Sequence, residues 1–571
     1  MAAFDISVRD TLKLLDGPFE PFAAGVSNGL YAFWLGSGIS FERAPRLYDL
    51  VCKVIEYVRS RIDPANPHCK FGRSMQEILT LASASKEERA RSKFDEAFTS
   101  WPDQDAIASR LVNSYAKLLG QTVDGEEPDY LLWTVIDVGA TFADPAMTPD
   151  VEHLCLATLS LEGTVSEMLS ANWDPLVERA VDILTDGNAA LSPTVVARPV
   201  DLQLPRKKTR LIKFHGCAVK AQAAPDQYRQ WLVASNDQVA AFCTQANNQG
   251  LVTALTHIVE SKRTLMLGLS AQDANIQSIF NKAANELTWR LDDPPPSYVF
   301  SEQDLGMDQR SLLNNVYRDQ VTPANRAAVY EAARIQAYAR RLLTALLLDV
   351  WSRKLQALIN LAPGLLPQVE RQSLCTGIVS LRNHLADAAE PKLEFIDALL
   401  NRFGRACKLL RDGQIEHPNV RFEPITNDVV SALAGNPALG VLGLREAAVA
   451  LGLVGMGLIS NHWVVEAESL DKESGVLAMT GKGSAAARTK VYLTASAAGA
   501  ALLRSEGHLV EAESPLLIQS QKLAVPMTRS PRGSSGRTGL PKAREVSIST
   551  LLQTYATADD LYEAFRQELA L

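Results

Sequence analysis

The sequence predicts an α/β fold: buried strands that run into turns of small residues, then a helical region and a small second α/β module. Three observations carry the core. Tyr31–Leu35 is a continuous apolar run that reads as a buried strand and breaks at Gly36-Ser37-Gly38-Ile39-Ser40. Residues 209–214 form a second strand-like run that ends at His215-Gly216. Residues 264–267 form a third that ends at Gly268-Leu269-Ser270. Small residues let a ligand approach the backbone, and bare N–H groups at a following helix can hold phosphate. In open α/β sheets ligands lie beyond the carboxyl ends of the strands.

Between the first turn and residue 170 lies a large helical insertion, about 45–170. Its stretch 85–93 alternates in charge and reads as a solvated helix face. Residues 63–67 and 124–128 break it. The insertion suits either a lid or an oligomer interface. It closes on a helical segment over 154–169, which leads into Ser170-Ala171-Asn172-Trp173-Asp174-Pro175. An amide and a carboxylate stand there two residues apart, and a plain Asx turn is the alternative reading. His153, at the start of that helix, either faces the pocket or packs. Ser270 and Asp273 also suit helix capping. The stop Asp292-Asp293-Pro294-Pro295-Pro296 precedes a last strand at 297–300 and ends a first unit of 1–305.

Residues 306–435 read as helical. Ile335, Tyr338, Leu342 and Leu346 share one helix face, which continues through Val350 and Leu355. Leu374, Ile378, Leu381 and Leu385 repeat the pattern, and Phe395, Leu399, Phe403 and Leu409 do so less regularly. Such stripes are helix–helix core or a partner surface. Residues 436–571 form the small α/β module: a glycine-weakened helix at 444–460, strands at 463–465 and 490–493, and a short helix at 495–503. Gly481-Lys482-Gly483-Ser484 lacks the first glycine of a phosphate loop, because Val476 occupies that position, so it reads as a hairpin turn. The segment 521–544 carries Lys522, Arg529, Arg532, Arg537, Lys542 and Arg544 with no acid before Glu545. It reads as a mobile loop, with contact to nucleic acid as the other possibility.

Four segments in order resemble the four signatures of the sirtuin family: Gly36-Ser37-Gly38-Ile39-Ser40, Asn172-Trp173-Asp174, Lys213-Phe214-His215-Gly216 and Gly268-Leu269-Ser270-Ala271-Gln272-Asp273. The resemblance covers residues 20–305 and implies a Rossmann-like core that binds NAD. It implies that Gly36, Ser37, Gly38 and Ser40 face the pyrophosphate, with Ser40 near the helix start as a phosphate ligand or an N-cap, and that Gly268, Ser270 and Asp273 meet the other end of the dinucleotide. It places Asn172 beside the nicotinamide ribose, with Asp174 orienting Asn172 or the ribose. It makes His215 the general base that acts on the ribose hydroxyls, a role that suits an ordinary pKa of about 6.5.

Two departures redirect the expectation. Sirtuin deacylases carry a zinc module with two Cys-x-x-Cys pairs, and structural zinc needs four closely arrayed ligands. The seven cysteines here, Cys52, Cys69, Cys155, Cys217, Cys243, Cys375 and Cys407, form no such pair, so no metal is expected. The segment Phe41-Glu42-Arg43-Ala44-Pro45-Arg46-Leu47-Tyr48 is unlike the family's acyl-lysine pocket. Water is then the remaining acceptor, which implies hydrolysis of NAD to nicotinamide and ADP-ribose. Such departures mark the sirtuin-like effectors of bacterial antiphage defence, and residues 129–157 look like that branch. The resemblance implies control by homo-oligomerisation or by a HerA-type ATPase partner. The helical C-terminal half disfavours a short Argonaute, and its stripes together with the 436–571 module are the expected docking surfaces. The alternative is a non-catalytic NAD- or ADP-ribose-sensing subunit, or a scaffold of a nuclease or ATPase complex.

Whole-chain quantities agree. With 571 residues the chain holds two to four domains. A net charge of −8 argues against broad electrostatic binding of nucleic acid. Seven scattered cysteines suit a reducing compartment. The longest apolar run, 447–460, has fourteen residues, too few to span a bilayer. The expected location is the cytoplasm.

Overall fold

The computed structural model describes residues 2–112, 114–389, 391–412, 422–466, 477–482, 488–505, 507, 509, 515–521 and 544–569. Seven strands form one sheet: β1 (Tyr31–Leu35), β2 (Glu167–Ser170), β3 (Thr194–Val196), β4 (Arg210–Lys213), β5 (Arg263–Leu267), β6 (Tyr298–Ser301) and β7 (Arg334–Ile335). Their order is β3-β4-β2-β1-β5-β6-β7, and every neighbouring pair is parallel. This is the Rossmann-like α/β core.

The sequence of β1 explains its central place. All five residues are buried, so neither face can meet water. Tyr31, Phe33 and Leu35 enter one core, with helices Val8–Asp16, Val151–Leu161 and Ala339–Asn360. Ala32 and Trp34 enter the other, with helices Gln249–Ser261, Ala274–Glu286 and Met307–Tyr317. The two-residue alternation of a strand thus divides its side chains between two helical layers.

Two readings of local structure are corrected. Residues 154–169 are not one helix: a helix ends at Leu161, and Glu167–Ser170 is β2. Asn172 therefore follows a strand. Ile335 is not on a helix face either. It lies in β7, and the helix begins at Ala339 after Tyr338. The sheet thus takes its last strand from beyond residue 305.

Helices dominate the insertion, and they build a core of their own from residues such as Val54, Ile78, Ile107 and Leu132. Leu342, Leu346, Val350, Leu374 and Ile378 are buried in the main core. These positions are packing within the chain, the helix–helix core of the two readings, while Leu355, Leu381, Leu385, Phe395 and Phe403 are only partly buried against it. Helices Gln368–Ala388 and Leu444–Ile459 meet through glycines: a Cβ on Gly455 would stand 2.0 Å from the Gly377 carbonyl oxygen. The glycines that weaken the second helix are what let it approach the first.

The C-terminal module holds a five-stranded sheet: β8 (Trp463–Glu466), β9 (Leu477–Gly481), β10 (Arg488–Thr494), β11 (Leu516–Gln519) and β12 (Arg544–Ser547), in the order β12-β11-β10-β9-β8. β9 and β10 pair antiparallel. Gly483 and Ser484 of the expected turn, and residues 522–543 of the basic segment, lie outside the described residues. Among the described residues no helix is long and apolar enough to cross a membrane.

Candidate functional site

The chain leaves β1 for β2 on one side and returns to β5 on the other, so the strand order reverses between β1 and β5. Ligands of open α/β sheets bind at such a switch point. Gly36–Ser40 follows β1 and Gly268–Asp273 follows β5. The two turns touch backbone to backbone: Gly36 N–H donates to Leu267 O at 3.0 Å and Gly38 N–H to Gly268 O at 3.1 Å. Gly268 has φ +59°, and a Cβ on Gly36 would stand 2.3 Å from Gly268 O. Gly36→Ala must therefore force the turns apart. Overpacking of this kind costs roughly 1–3 kcal/mol, a loss that a urea-unfolding midpoint will report.

Asn172 lies two residues beyond β2 and is 9% exposed. Its Nδ2 donates to Gly36 O at 3.1 Å and to Ser40 Oγ at 3.3 Å. Both amide hydrogens are committed, so Oδ1 is the group it presents to a ligand. Lys213 of β4 fastens this turn from below. It is 1% exposed, and its ammonium donates to the carbonyls of Trp173 and Asp174 and to Glu178 Oε1 at 3.0 Å. Burial pulls that ammonium down, but Glu178, Cys217 and Asp174 together outweigh it and keep it above its ordinary range. The lysine of Lys-x-His-Gly is thus a structural tie. Asp174 Oδ1 accepts from Leu176 N–H at 3.1 Å, an Asx turn that opens helix Leu176–Thr185.

His153 does not simply pack. It is fully buried, and its Nε2 lies 3.1 Å from Ser40 Oγ. Its Nδ1 accepts from Asp150 N–H at 3.1 Å, in a capping box with histidine in the usual glutamate position. Asp150 is itself held by Arg43 and by Arg340, both at 2.9 Å, and Arg340 also reaches Glu152. The first residues of helix Ala339–Asn360 therefore brace the turn that carries His153.

His215 follows β4 at the position where Gly216, φ +93°, turns the chain. Asn275 Nδ2 donates to His215 Nε2 at 2.8 Å, while Asn275 Oδ1 is held by Ile276 N–H. That arrangement leaves the ring hydrogen on Nδ1. Burial pushes both histidines down from 6.5 to about 4. Between those values the unfolded chain binds more protons than the folded one. Stability is therefore full above about pH 6.5 and falls as pH drops to about 4, by roughly 3 kcal/mol per histidine. The urea midpoint will decline across that window, and His215→Gln will flatten the decline.

Asp273 precedes helix Ala274–Glu286, but its side chain makes no capping hydrogen bond. Burial alone raises its pKa. Among the described residues nothing donates to this carboxylate, so it is available to a diol or an amide. Ser37, Gly38 and Ser270 are exposed at the two turns, where Gly36 is buried. The insertion reaches this group at two places. Phe142 meets Trp173 edge-on at 5.3 Å, and burial together with Asp273 raises the Tyr115 hydroxyl.

The structure gathers Gly36, Ser40, Asn172 and Gly268 by direct contact, with Asp174 near His153. His215 and Asp273 follow β4 and β5, which β2 and β1 separate, and Asn275 links the two segments through its bond to His215. Sequence reasoning missed Asn275, although it stands two residues after Asp273. Among the described residues no cluster of histidine, cysteine and acidic side chains has the grouping of a metal site.

No curated protein matches the chain. Residues 166–319 match the family described as SIR2-like domain, a span that runs from β2 past β6 and holds Asn172, His215 and Asp273 but not the Gly36–Ser40 turn.

Proposed function

We propose that this chain is an NAD+ glycohydrolase that cleaves NAD to nicotinamide and ADP-ribose. A SIR2-like domain is compatible with an NAD-dependent enzyme. The observation that carries the narrower reading is Asn172: both of its amide hydrogens are tied to the first glycine turn, and Oδ1 is left to orient a water. In the reaction, water attacks the anomeric carbon, the bond to the nicotinamide nitrogen breaks, nicotinamide leaves neutral with the bond's electrons, and the added water gives up one proton to solvent as it becomes the anomeric hydroxyl. His215 is neutral at physiological pH, the state a general base needs. Its basic nitrogen, Nε2, accepts from Asn275 Nδ2, so it takes a ribose proton only once the ligand hydroxyl displaces that amide. Asp273 suits the hydroxyls of a ribose, as a carboxylate does in dinucleotide folds. Groups already oriented around the developing oxocarbenium charge stabilise it without reorganisation.

The role that fits such an activity is an effector that depletes NAD in antiphage defence, in the cytoplasm. Its control falls to homo-oligomerisation or to a HerA-type ATPase. That assignment rests on the sirtuin-like resemblance. The test is nicotinamide release by the purified chain, alone and with a co-encoded ATPase, beside His215→Ala. Release that disappears in the variant supports the hydrolase. Tight NAD binding without release under either condition leaves the sensing subunit instead.

A further inference from the structure

The buried histidine that the proposed chemistry does not use is His153, and its hydrogen bonds have only one consistent assignment. Asp150 N–H donates to Nδ1 at 3.1 Å. A neutral imidazole that accepts at Nδ1 carries its hydrogen on Nε2. Nε2–H therefore donates to Ser40 Oγ at 3.1 Å. Asn172 Nδ2 donates to the same oxygen at 3.3 Å. A hydroxyl oxygen has two lone pairs, and both are now filled. Ser40 must donate its own hydrogen, and among the described residues no acceptor takes it. Ser40 is 2% exposed and ends the turn after β1, so a ligand seated at the switch point is the acceptor left for that hydrogen.

We propose that His153 is a positioning residue that makes Ser40 an obligate hydrogen-bond donor to an anionic oxygen of the ligand's pyrophosphate. This rests on the NAD reading. An obligate donor favours a group that only accepts, and a charged acceptor gains most from it. The groups that face His153 are Asp174, Asp150, Arg43 and Arg340. Two substitutions separate the two ring nitrogens. His153→Gln keeps an N–H near Nε2 and so keeps the donor to Ser40. His153→Asn keeps a polar group near Nδ1, satisfies the helix cap and loses that donor.

The experiment is titration calorimetry of the full chain with NAD, ADP-ribose and adenosine, together with thermal melts, on wild type, His153→Gln, His153→Asn and Ser40→Ala. The expected result is near-normal NAD binding by His153→Gln. His153→Asn and Ser40→Ala should lose roughly tenfold or more for NAD and ADP-ribose. Adenosine, which has no phosphate, should bind all four alike. Equal affinities for NAD in His153→Gln and His153→Asn would overturn the proposal. So would losses that follow the melting temperature or extend to adenosine, since a merely structural histidine would give those. A wild type that binds no NAD fails the underlying reading as well, and that outcome is recognised because it appears before any variant is compared.

Discussion

Asn172→Ala is expected to lower nicotinamide release by roughly a hundredfold or more while the far-ultraviolet circular dichroism stays native. Removing one preorganised group of this kind costs about 10²–10³ in rate. The cost in stability is small by comparison. Two neutral hydrogen bonds go, to Gly36 O and Ser40 Oγ, at about 1 kcal/mol each. Asn172→Asp makes the argument sharper. It has nearly the same shape, but an ionised carboxylate cannot donate, and it would turn an oxygen toward the Gly36 carbonyl. It should be as inactive as the alanine variant and less stable. Release at the wild-type rate by either folded variant would remove Asn172 from the chemistry.

Lys354→Ala should cause the largest loss of stability. Lys354 and Glu162 are both 0% exposed. The ammonium donates to the Glu162 carboxylate at 2.6 Å, to Glu162 O at 2.7 Å and to Thr426 O at 2.5 Å. Glu162 also accepts from Trp351 Nε1 and from Ile425 N–H. Removing the lysine leaves a charge in the core with neutral donors only, which costs about 3–5 kcal/mol. That is a large part of the 5–15 kcal/mol typical of a folded domain. Adding Glu162→Gln to the same chain should recover part of the loss, because the stranded charge disappears. A urea series on both variants checks this. If the single variant unfolds at the wild-type midpoint, the pair contributes nothing.

What could be read in advance depended on whether the cause was local. β1 was legible because all five of its residues are apolar and glycine follows at once. The strand ends that carry His215 and Gly268 were placed within a residue or so for the same reason. β2 was not legible. Glu167-Met168-Leu169-Ser170 is short, and the apolar pattern of the helix before it runs on into it. The interruption is Gly163, φ +76°, where a Cβ would stand 2.1 Å from Asn427 O. A segment more than 260 residues away in sequence sets that boundary, and no local pattern reports it. β7, two residues long, was absorbed into a helical stripe. At the site, the residue types of the four turns were legible. The partners were not: Ser40 for His153, Asn275 for His215, and the Trp173 and Asp174 carbonyls for Lys213 all come from across the fold.

The position of β1 has a practical consequence. It lies between β2 and β5, yet it precedes the family-matched span 166–319. A fragment cut to that span would keep β3-β4-β2 and β5-β6 as two ribbons with nothing between them. Each would present the unpaired N–H and C=O groups of a strand meant for the middle of a sheet, flanked by apolar side chains. Such borders recruit other chains. Expressed alone, the recognisable part of this protein should aggregate, and adding back residues 20–40 as a separate peptide should be the smallest repair that rejoins the two ribbons into one sheet.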